Sequence, residues 1–258
     1  MKHSLRTLVI AVVACASLAA CSASQQPPAA DSLVKLDVAY MPSNPAAVGY
    51  LVRPLKPGKL PTVILIHEWW GLNDNIKSLA DKFAAEGYVA LAVDLYDGKR
   101  AANADEAKVL AGAVRENTDK AFANLKAAVA YLKGSPSADP DRLAAVGWCF
   151  GGGWSYQMAK NDLGVKASVM YYGQFAPEDD LSMMKAHILG HFGEKDASIS
   201  VDTVKEFQVK LKTLSGENAV FIYPNAGHGF AGEANATYDK TQADEAWART
   251  QEFLKQQL

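Results

Sequence analysis

The chain has 258 residues, of which 49% are hydrophobic, and its 26 basic and 28 acidic side chains leave a net charge of −2. This length and apolar content suit one domain with a large buried core. The sequence has no basic cluster interleaved with aromatic residues, so nucleic acid is not expected as a partner.

The first twenty residues have the layout of an export signal. Lys2 and Arg6 precede the apolar run Leu8–Ala20, which is too short to span a bilayer as a mature helix. We therefore expect residues 1–20 to form a signal peptide that is removed from the mature protein.

The end of this run, LAAC, resembles the lipobox of bacterial lipoproteins. In that family the signal is cleaved before the cysteine, which then carries lipid. The resemblance implies that Cys21 is lipidated and that residues 21–32 form a tether. Ser22 favours the outer membrane in that family, so we expect a protein anchored in a bacterial cell envelope and facing the periplasm. An ordinary export signal, in which Cys21 has no special role, is the alternative.

Strand-like and helix-like segments alternate through residues 33–258. Continuous β-branched runs such as Val63–Ile66 are typical of strands buried on both faces. The predicted strands are 33–40, 47–53, 63–66, 88–95, 142–148, 167–172, 186–192 and 219–223, and the predicted helices are 75–86, 104–133 with a break at RENTD, 152–160, 201–214 and 241–256. This alternation predicts an α/β domain with a mostly parallel central sheet, helices on both faces and antiparallel strands at the N-terminal edge. A ligand site is then expected at the carboxyl ends of the strands.

Cys149 is the one thiol expected in the mature protein, because Cys15 leaves with the signal peptide and Cys21 carries lipid. A disulfide within the mature chain is therefore excluded. A free thiol in an oxidising compartment needs either a function or deep burial as an inert side chain. Both interpretations stay open from the cysteine alone.

The sequence around Cys149, GWCFGG, has the pattern of a nucleophile elbow with cysteine in the place of serine. Gly147 and Gly151 are expected because side chains two residues before and after the nucleophile would collide in so tight a strand-to-helix turn. The N-terminus of the following helix would favour a thiolate. The backbone N–H of Phe150 would face a developing oxyanion.

An acid and a base follow in the chain order that an elbow enzyme requires. Asp196 comes after the strand that ends in HFG, and His228 comes after the last strand. We expect His228 to act as general base and acid, and Asp196 to orient its ring. Glu194 is the alternative acid, although it could equally be a solvated loop charge.

The motifs GWCFGG, DAS, AGHGF and HEWWGLN resemble those of the dienelactone hydrolase family over about Val34 to the C-terminus. The resemblance implies the α/β-hydrolase fold and hydrolysis of a small carboxylic ester or lactone, in the carboxymethylenebutenolidase class. It also implies that Glu68 takes the proton of the thiol when substrate binds, and that the backbone N–H of Trp69 is the second oxyanion donor. An acid satisfied by loop amides is the alternative for Glu68.

The sequence departs from this family at two positions that carry substrate-binding arginines. Gly98 and Gly232 occupy them here, and Lys99 and Arg100 are the nearby cations that could substitute. The expected apolar walls of the substrate pocket are aromatic side chains, namely Trp70, Tyr96 and Trp154, together with Trp69 and Phe150.

Other functional classes have weaker support. His187 and His191 share an i, i+4 spacing, but a strand would separate them by roughly 13 Å, so no metal site is expected. No phosphate-binding loop occurs in the sequence, and no cofactor is expected. The alternative function is a non-catalytic envelope lipoprotein that uses the hydrolase scaffold for binding. We expect a monomer.

Overall fold

The protein is described from a computed structural model, in which residues 32–258 are described. The predicted signal peptide, Cys21 and nearly all of the predicted tether lie outside these residues. The strands are β1 (Leu33–Ala39), β2 (Val48–Pro54), β3 (Leu60–Ile66), β4 (Val89–Val93), β5 (Ala138–Trp148), β6 (Ala167–Tyr171), β7 (His187–Gly193) and β8 (Ala219–Tyr223). The helices are α1 (Asp74–Ala85), α2 (Ala104–Glu116), α3 (Thr118–Lys133), α4 (Phe150–Lys160), α5 (Val201–Leu211) and α6 (Lys240–Gln257).

The strands form one sheet in the order β1-β2-β4-β3-β5-β6-β7-β8. β1 pairs antiparallel with β2, and β2 antiparallel with β4, whereas every later pair is parallel. The predicted fold class, with antiparallel strands at the N-terminal edge, is therefore confirmed. The parallel pairing places the carboxyl ends of β3, β5, β7 and β8 at one edge of the sheet.

Alternate residues of the central strands pack on opposite faces of the sheet. On β3, Ile64 and Ile66 join a core with side chains of α3, α4 and α5, while Val63 and Leu65 join a core with side chains of α1 and α6. All four side chains are fully buried. Burial on both faces explains why β3 is a continuous apolar run, and burying each such side chain contributes about 1.5–3 kcal/mol.

The predicted break between two helices at RENTD is confirmed at Asn117. This residue ends α2 and caps α3, because its side chain accepts a hydrogen bond from the backbone N–H of Lys120 at 3.2 Å. α5 ends at Leu211, three residues earlier than predicted, since the chain turns toward Gly216, which has a φ of +97°. Within residues 32–258, no helix combines the length and apolar character that a membrane crossing would need.

Candidate active site

The turn between β5 and α4 holds Cys149 at a φ of 53° and a ψ of −114°. A positive φ is rare outside glycine and costs free energy that the surrounding packing must offset. A Cβ on Gly147 would collide with the backbone of Gly151, as predicted. A Cβ on Gly151 would instead lie 2.6 Å from the carbonyl oxygen of His67, in the loop that follows β3. Glycine is therefore required at both positions, but for two different contacts.

The N-terminus of α4 begins directly after Cys149. Phe150 is its first residue, and the backbone N–H of Gly153 donates a hydrogen bond to the carbonyl of Cys149 at 3.2 Å. The amide of Phe150 thus has no acceptor four residues earlier within the helix. Together with the helix dipole, this free amide favours negative charge beside Cys149.

Cys149, His228 and Asp196 form one continuous set of contacts. The Sγ of Cys149 lies 3.1 Å from Nε2 of His228, and Nδ1 of His228 donates to Oδ2 of Asp196 at 2.8 Å. The other carboxylate oxygen of Asp196 accepts from the backbone N–H groups of Ser198 and Ile199. These amides fix the carboxylate, and the carboxylate in turn fixes the orientation of the imidazole ring.

The loops after β7 and β8 meet because these strands are parallel neighbours. Gly193, at the end of β7, packs so closely on the backbone of Ala226 that a Cβ would lie 2.8 Å from its carbonyl carbon. Glu194 accepts a hydrogen bond from the backbone N–H of Asn225 at 2.9 Å, so its carboxylate ties the two loops together. Asp196, and not Glu194, is the acid that contacts His228.

The pKa of His228 is shifted by its surroundings. Desolvation lowers the pKa, but the hydrogen bonds to Asp196 and Cys149 outweigh it and raise the pKa from 6.5 to about 10. The raised pKa makes His228 a stronger base toward the thiol proton, and the imidazolium so formed is held by Asp196 and can donate that proton onward.

Glu68 lies two residues after the end of β3 and is buried, with 7% of its surface exposed. Desolvation raises the pKa of its carboxyl group, while the amide of Asn235 and the charge of His228 lower it. Among the described residues, no hydrogen bond joins Glu68 to Cys149. The carboxyl group is thus a buried neighbour of the triad, held apart from the thiol in this structure.

Asn235 is a site residue that the sequence analysis missed. Its side-chain amide faces Glu68 and donates to the carbonyl of Gly229 at 2.9 Å. A Cβ on Gly232 would collide with this amide. Glycine at position 232, where the resemblance led us to look for arginine, leaves the space that Asn235 fills. No local pattern marks an asparagine in a loop as a partner for Glu68.

His67 positions the loop that carries Glu68 and Trp69. Its Nε2 accepts from the backbone N–H of Leu95 at 3.2 Å, so Nδ1 carries the proton and donates to the carbonyl of Glu68 at 2.6 Å. Gly71 donates to the same carbonyl. Burial lowers the pKa of His67 to about 4, which keeps the ring neutral. Because the peptide plane is rigid, fixing this carbonyl also fixes the direction of the Trp69 N–H.

A cavity of about 280 Å³ opens beside the thiol, and we call it the Cys149 cavity. Its lining combines aromatic and polar side chains, namely Arg115, Thr118, Phe122, Cys149, Phe150, Gly153, Trp154, Gln157 and Gln174. Of the predicted pocket walls, Phe150 and Trp154 line this cavity. Tyr96 instead packs its ring on Phe150 and donates to the carbonyl of Trp69 at 3.2 Å, and Trp70 packs on Trp69.

The structure places Lys99 and Arg100, the predicted substitutes for the family's arginines, outside the Cys149 cavity. Asp97 and Gly98 both have a positive φ, and they turn the chain so that the carbonyl of Lys99 packs against Gly71. Arg100 reaches Asp74 at the start of α1, with 3.8 Å between their charged atoms. Neither side chain lines the Cys149 cavity.

Arg115 is the cation that the fold brings to the Cys149 cavity instead. It lies in the last turn of α2, with its guanidinium carbon 5.7 Å from the ring centre of Phe150. No acidic side chain among residues 32–258 forms a salt bridge with it. Its position on a long helical segment gave no sequence signal, because only the tertiary packing brings the last turn of α2 to Phe150 and the cavity.

The two histidines considered for a metal site have other partners. His191 is fully buried, where its ring nitrogens contact the hydroxyl groups of Tyr223 and Thr250 at 2.8 and 3.0 Å. His187 contacts Gln257 near the surface. Both side chains therefore belong to the packing of α6 and β8 on the sheet.

The chain is similar to several known proteins over most of its length. It is 36% identical to "Protein usf" of Aquifex pyrophilus over 218 residues, which cover 81% of this chain and 93% of the relative. It is 30% identical to a "Probable 2-oxo-3-(5-oxofuran-2-ylidene)propanoate lactonase" of Bradyrhizobium sp over 223 residues, 82% of this chain and 90% of the relative.

Among solved structures, a "Putative Dienelactone Hydrolase" of Klebsiella pneumoniae superimposes with a TM-score of 0.69 at 25% identity. The superposition covers 87% of this chain and 98% of that structure. Residues 48–258 match the sequence model of the "Dienelactone hydrolase family", and these residues contain the elbow, the acid and the base described above. The chain therefore belongs to the dienelactone hydrolase family.

Proposed function

We propose that this protein hydrolyses small carboxylic esters or lactones with Cys149 as the nucleophile. One observation carries the proposal: the contacts from Cys149 to His228 and from His228 to Asp196, at 3.1 and 2.8 Å, lie at the carboxyl edge of the sheet beside a cavity. Family membership supports the reaction class, and a relative whose name describes a lactonase supports lactones among the substrates.

In the proposed acylation step, the sulfur of Cys149 attacks the carbonyl carbon of the substrate. The thiol proton passes to Nε2 of His228, or to Glu68 when bound substrate moves the thiol toward that carboxylate. The amides of Phe150 and Trp69 stabilise the negative charge on the carbonyl oxygen. The same proton then passes to the departing alkoxide, from the imidazolium of His228 or from the carboxylic acid of Glu68, and an acyl-enzyme remains.

In the proposed deacylation step, His228 removes a proton from water, whose oxygen attacks the acyl carbon. The carbon–sulfur bond breaks, the acid leaves, and Cys149 recovers its proton from the imidazolium. Asp196 keeps the same ring orientation throughout both steps, since its carboxylate is held by two backbone amides.

The lining of the Cys149 cavity favours a substrate with a flat apolar body and a negative or strongly polar group. Phe122, Phe150 and Trp154 supply the apolar walls. Arg115 supplies a positive charge, and Gln157 and Gln174 supply amide groups for hydrogen bonds.

The test is to measure initial rates for residues 22–258 on a panel of short acyl esters and unsaturated lactones, beside the Cys149→Ala variant. We expect turnover by the wild type that vanishes in the variant. Turnover that survives in Cys149→Ala would contradict the cysteine mechanism. Absence of turnover on every panel member would favour the non-catalytic binding lipoprotein instead.

We also propose that the enzyme acts in the bacterial cell envelope, held to the membrane by lipid on Cys21. Support comes from the sequence alone: a positive start, a short apolar run and the LAAC box.

A further inference from the structure

A second, smaller cavity reaches the site from the opposite side of the sheet, and we call it the rear cleft. Its wall on α1 carries Asn75 and Ser78, its other wall is formed by residues 231–233 after β8, and its inner end is formed by Glu68 and Tyr172. The volume is about 70 Å³. That is more than the space of about 10–15 Å³ that a single water molecule needs.

The rear cleft runs from the protein surface to the catalytic residues. Ser78 and Glu233 at its outer end are exposed, while 7% of Glu68 and none of Tyr172 is exposed at its inner end. The lining residues Asn75 and Ser78 are one helical turn apart on α1, so one face of the helix forms the wall. This wall is polar enough to hold water.

Tyr172 places an unpartnered hydroxyl group at the inner end. Among the described residues, its oxygen makes no hydrogen bond of normal geometry, although the side chain is fully buried. Burial and the charges of Glu68 and Cys149 raise its pKa well above the usual value, whereas a poorly aligned backbone contact with Ala231 lowers it. The ring packs edge-on against His228, with 5.1 Å between the ring centres. A buried hydroxyl without a partner is costly, and a bound water would relieve that cost.

The rear cleft and the Cys149 cavity share no lining residue. In the acyl-enzyme, the acyl group is attached to the Cys149 sulfur and occupies the Cys149 cavity. Water for the second half of the reaction then needs a route that the acyl group does not fill. The rear cleft offers such a route, because its inner end is formed by Glu68 and by Tyr172, whose ring packs against His228.

We propose that the rear cleft admits the hydrolytic water and that Tyr172 and Glu68 hold this water for attack on the acyl-enzyme. This inference rests on the proposed cysteine hydrolase function. The water oxygen bonds to the acyl carbon and its proton goes to Nε2 of His228. The carbon–sulfur bond then breaks, the carboxylic acid departs, and the proton on His228 returns to the Cys149 thiolate.

The test fills the cleft from its outer wall with Ser78→Leu, Asn75→Leu and the double variant. The matched control is Ser78→Ala, which changes the same helix position without filling the cleft. Leucine and alanine are both good helix formers, so neither change at position 78 threatens α1. Stopped-flow measurement with a chromogenic acyl ester separates the acylation burst from the steady-state rate.

We expect the double variant to keep the wild-type acylation rate and kcat/KM while deacylation and kcat fall about tenfold, a difference of about 1.4 kcal/mol in activation free energy. Ser78→Ala should match the wild type in both phases. Tyr172→Phe should also slow deacylation selectively.

Unchanged deacylation in the correctly folded double variant would overturn the rear cleft as the water route. An equal fall of acylation and deacylation would overturn it as well, since that result indicates a general distortion of the site. Circular dichroism checks that the variants fold, and the single variants replace the double variant if the double variant does not fold. Absence of any turnover in the wild type is a different result, because it would overturn the proposed function itself.

Discussion

Cys149 occupies a backbone conformation that its own side chain does not favour. The positive φ is maintained by glycines on both sides, and by a hydrogen bond from its N–H to the carbonyl of Tyr171 at 2.9 Å. The strain lifts the sulfur out of the sheet edge toward His228. At the scale of single residues, the site thus depends on local backbone geometry as much as on the chemistry of the thiol.

The first prediction concerns the nucleophile. Cys149→Ser should keep the fold, because serine is only slightly smaller than cysteine and the turn is unchanged. However, kcat/KM should fall at least about a hundredfold. A neutral hydroxyl ionises far less readily than a thiol in the same surroundings. Steady-state kinetics on the best panel substrate and a thermal melt make the comparison. A serine variant with full rates would refute the thiolate mechanism.

The second prediction concerns the pKa of His228. Asp196→Asn removes the larger of the two favourable hydrogen-bond effects, so the pKa should fall from about 10 toward 6.5. A raised pKa in the folded state stabilises the protein fully below pH 6.5, and this stabilisation is lost as the pH rises toward 10. The variant should therefore lose less free energy of unfolding across this range than the wild type.

Two measurements check this second prediction. The NMR titration of the His228 ring reports its pKa, and urea unfolding at a series of pH values reports the free energy. Identical pH dependence in the two proteins would show that Asp196 is not the source of the shift.

The third prediction concerns Arg115. Arg115→Gln should lower kcat/KM about tenfold for an ester that carries a carboxylate, and should change little for a neutral ester of the same size. Arg100→Gln is the matched control, since this arginine lies outside the Cys149 cavity and pairs with Asp74. Equal effects of the two substitutions on both esters would exclude Arg115 from substrate selection.

At the scale of elements, α4 packs backbone to backbone where it passes over the end of β3. Gly151 in α4 lies against the backbone of Ile66 and His67, which cannot move without breaking the sheet. This contact brings the helix N-terminus over the loop that carries Glu68. The elements that build the site are therefore also those with the least room for a side chain.

The fourth prediction compares two helical glycines. Gly151→Ala should lower the free energy of unfolding by about 2–3 kcal/mol, because the new Cβ meets rigid backbone. Gly112→Ala in α2 should raise it by up to about 1 kcal/mol, since no atom lies within 4 Å of the new Cβ and alanine favours a helix. Urea unfolding measures both. A similar change in the two variants would contradict the role assigned to this contact.

At the scale of the whole molecule, residues 33–258 form one sheet with helices on both faces, and its two cores lie on either side. Both cavities open at the same edge but from opposite faces. The predicted export signal and the lipidated cysteine precede this unit in the chain. The catalytic unit should consequently need no part of the first 21 residues to fold.

The fifth prediction concerns attachment to the membrane. In a bacterial host that processes lipoproteins, the wild-type protein should lose residues 1–20, gain the mass of attached lipid and sediment with membranes. Cys21→Ala should carry no lipid and remain in the soluble fraction. Intact-mass spectrometry and fractionation give the answer. Equal masses and equal distribution of the two proteins would refute lipid attachment at Cys21.

Local sequence patterns were sufficient to predict the order of the elements and the fold class. Val63–Ile66 was predicted as a buried strand because burial on both faces selects a continuous apolar run. Asn117 lies within the predicted break, and as a helix cap it bonds a backbone N–H group only three residues away, that of Lys120. Cys149, Asp196 and His228 were found because each follows a strand, and parallel strands bring such residues to one edge. Their contact is observed, and their catalytic roles stay predictions.

The surroundings of these residues were decided only by the tertiary structure. Arg115 lines the Cys149 cavity, whereas Lys99 and Arg100 do not, because a turn at two positive-φ residues redirects the chain after β4. Asn235 reaches Glu68 only through the gap at Gly232. Such contacts join residues that are far apart in the sequence, and their direction depends on packing rather than on any repeating pattern. The sequence by itself therefore determined the fold and the three residues that meet at the carboxyl edge of the sheet, and the packing of loops and helices decided which cation, which amide and which cavity surround them.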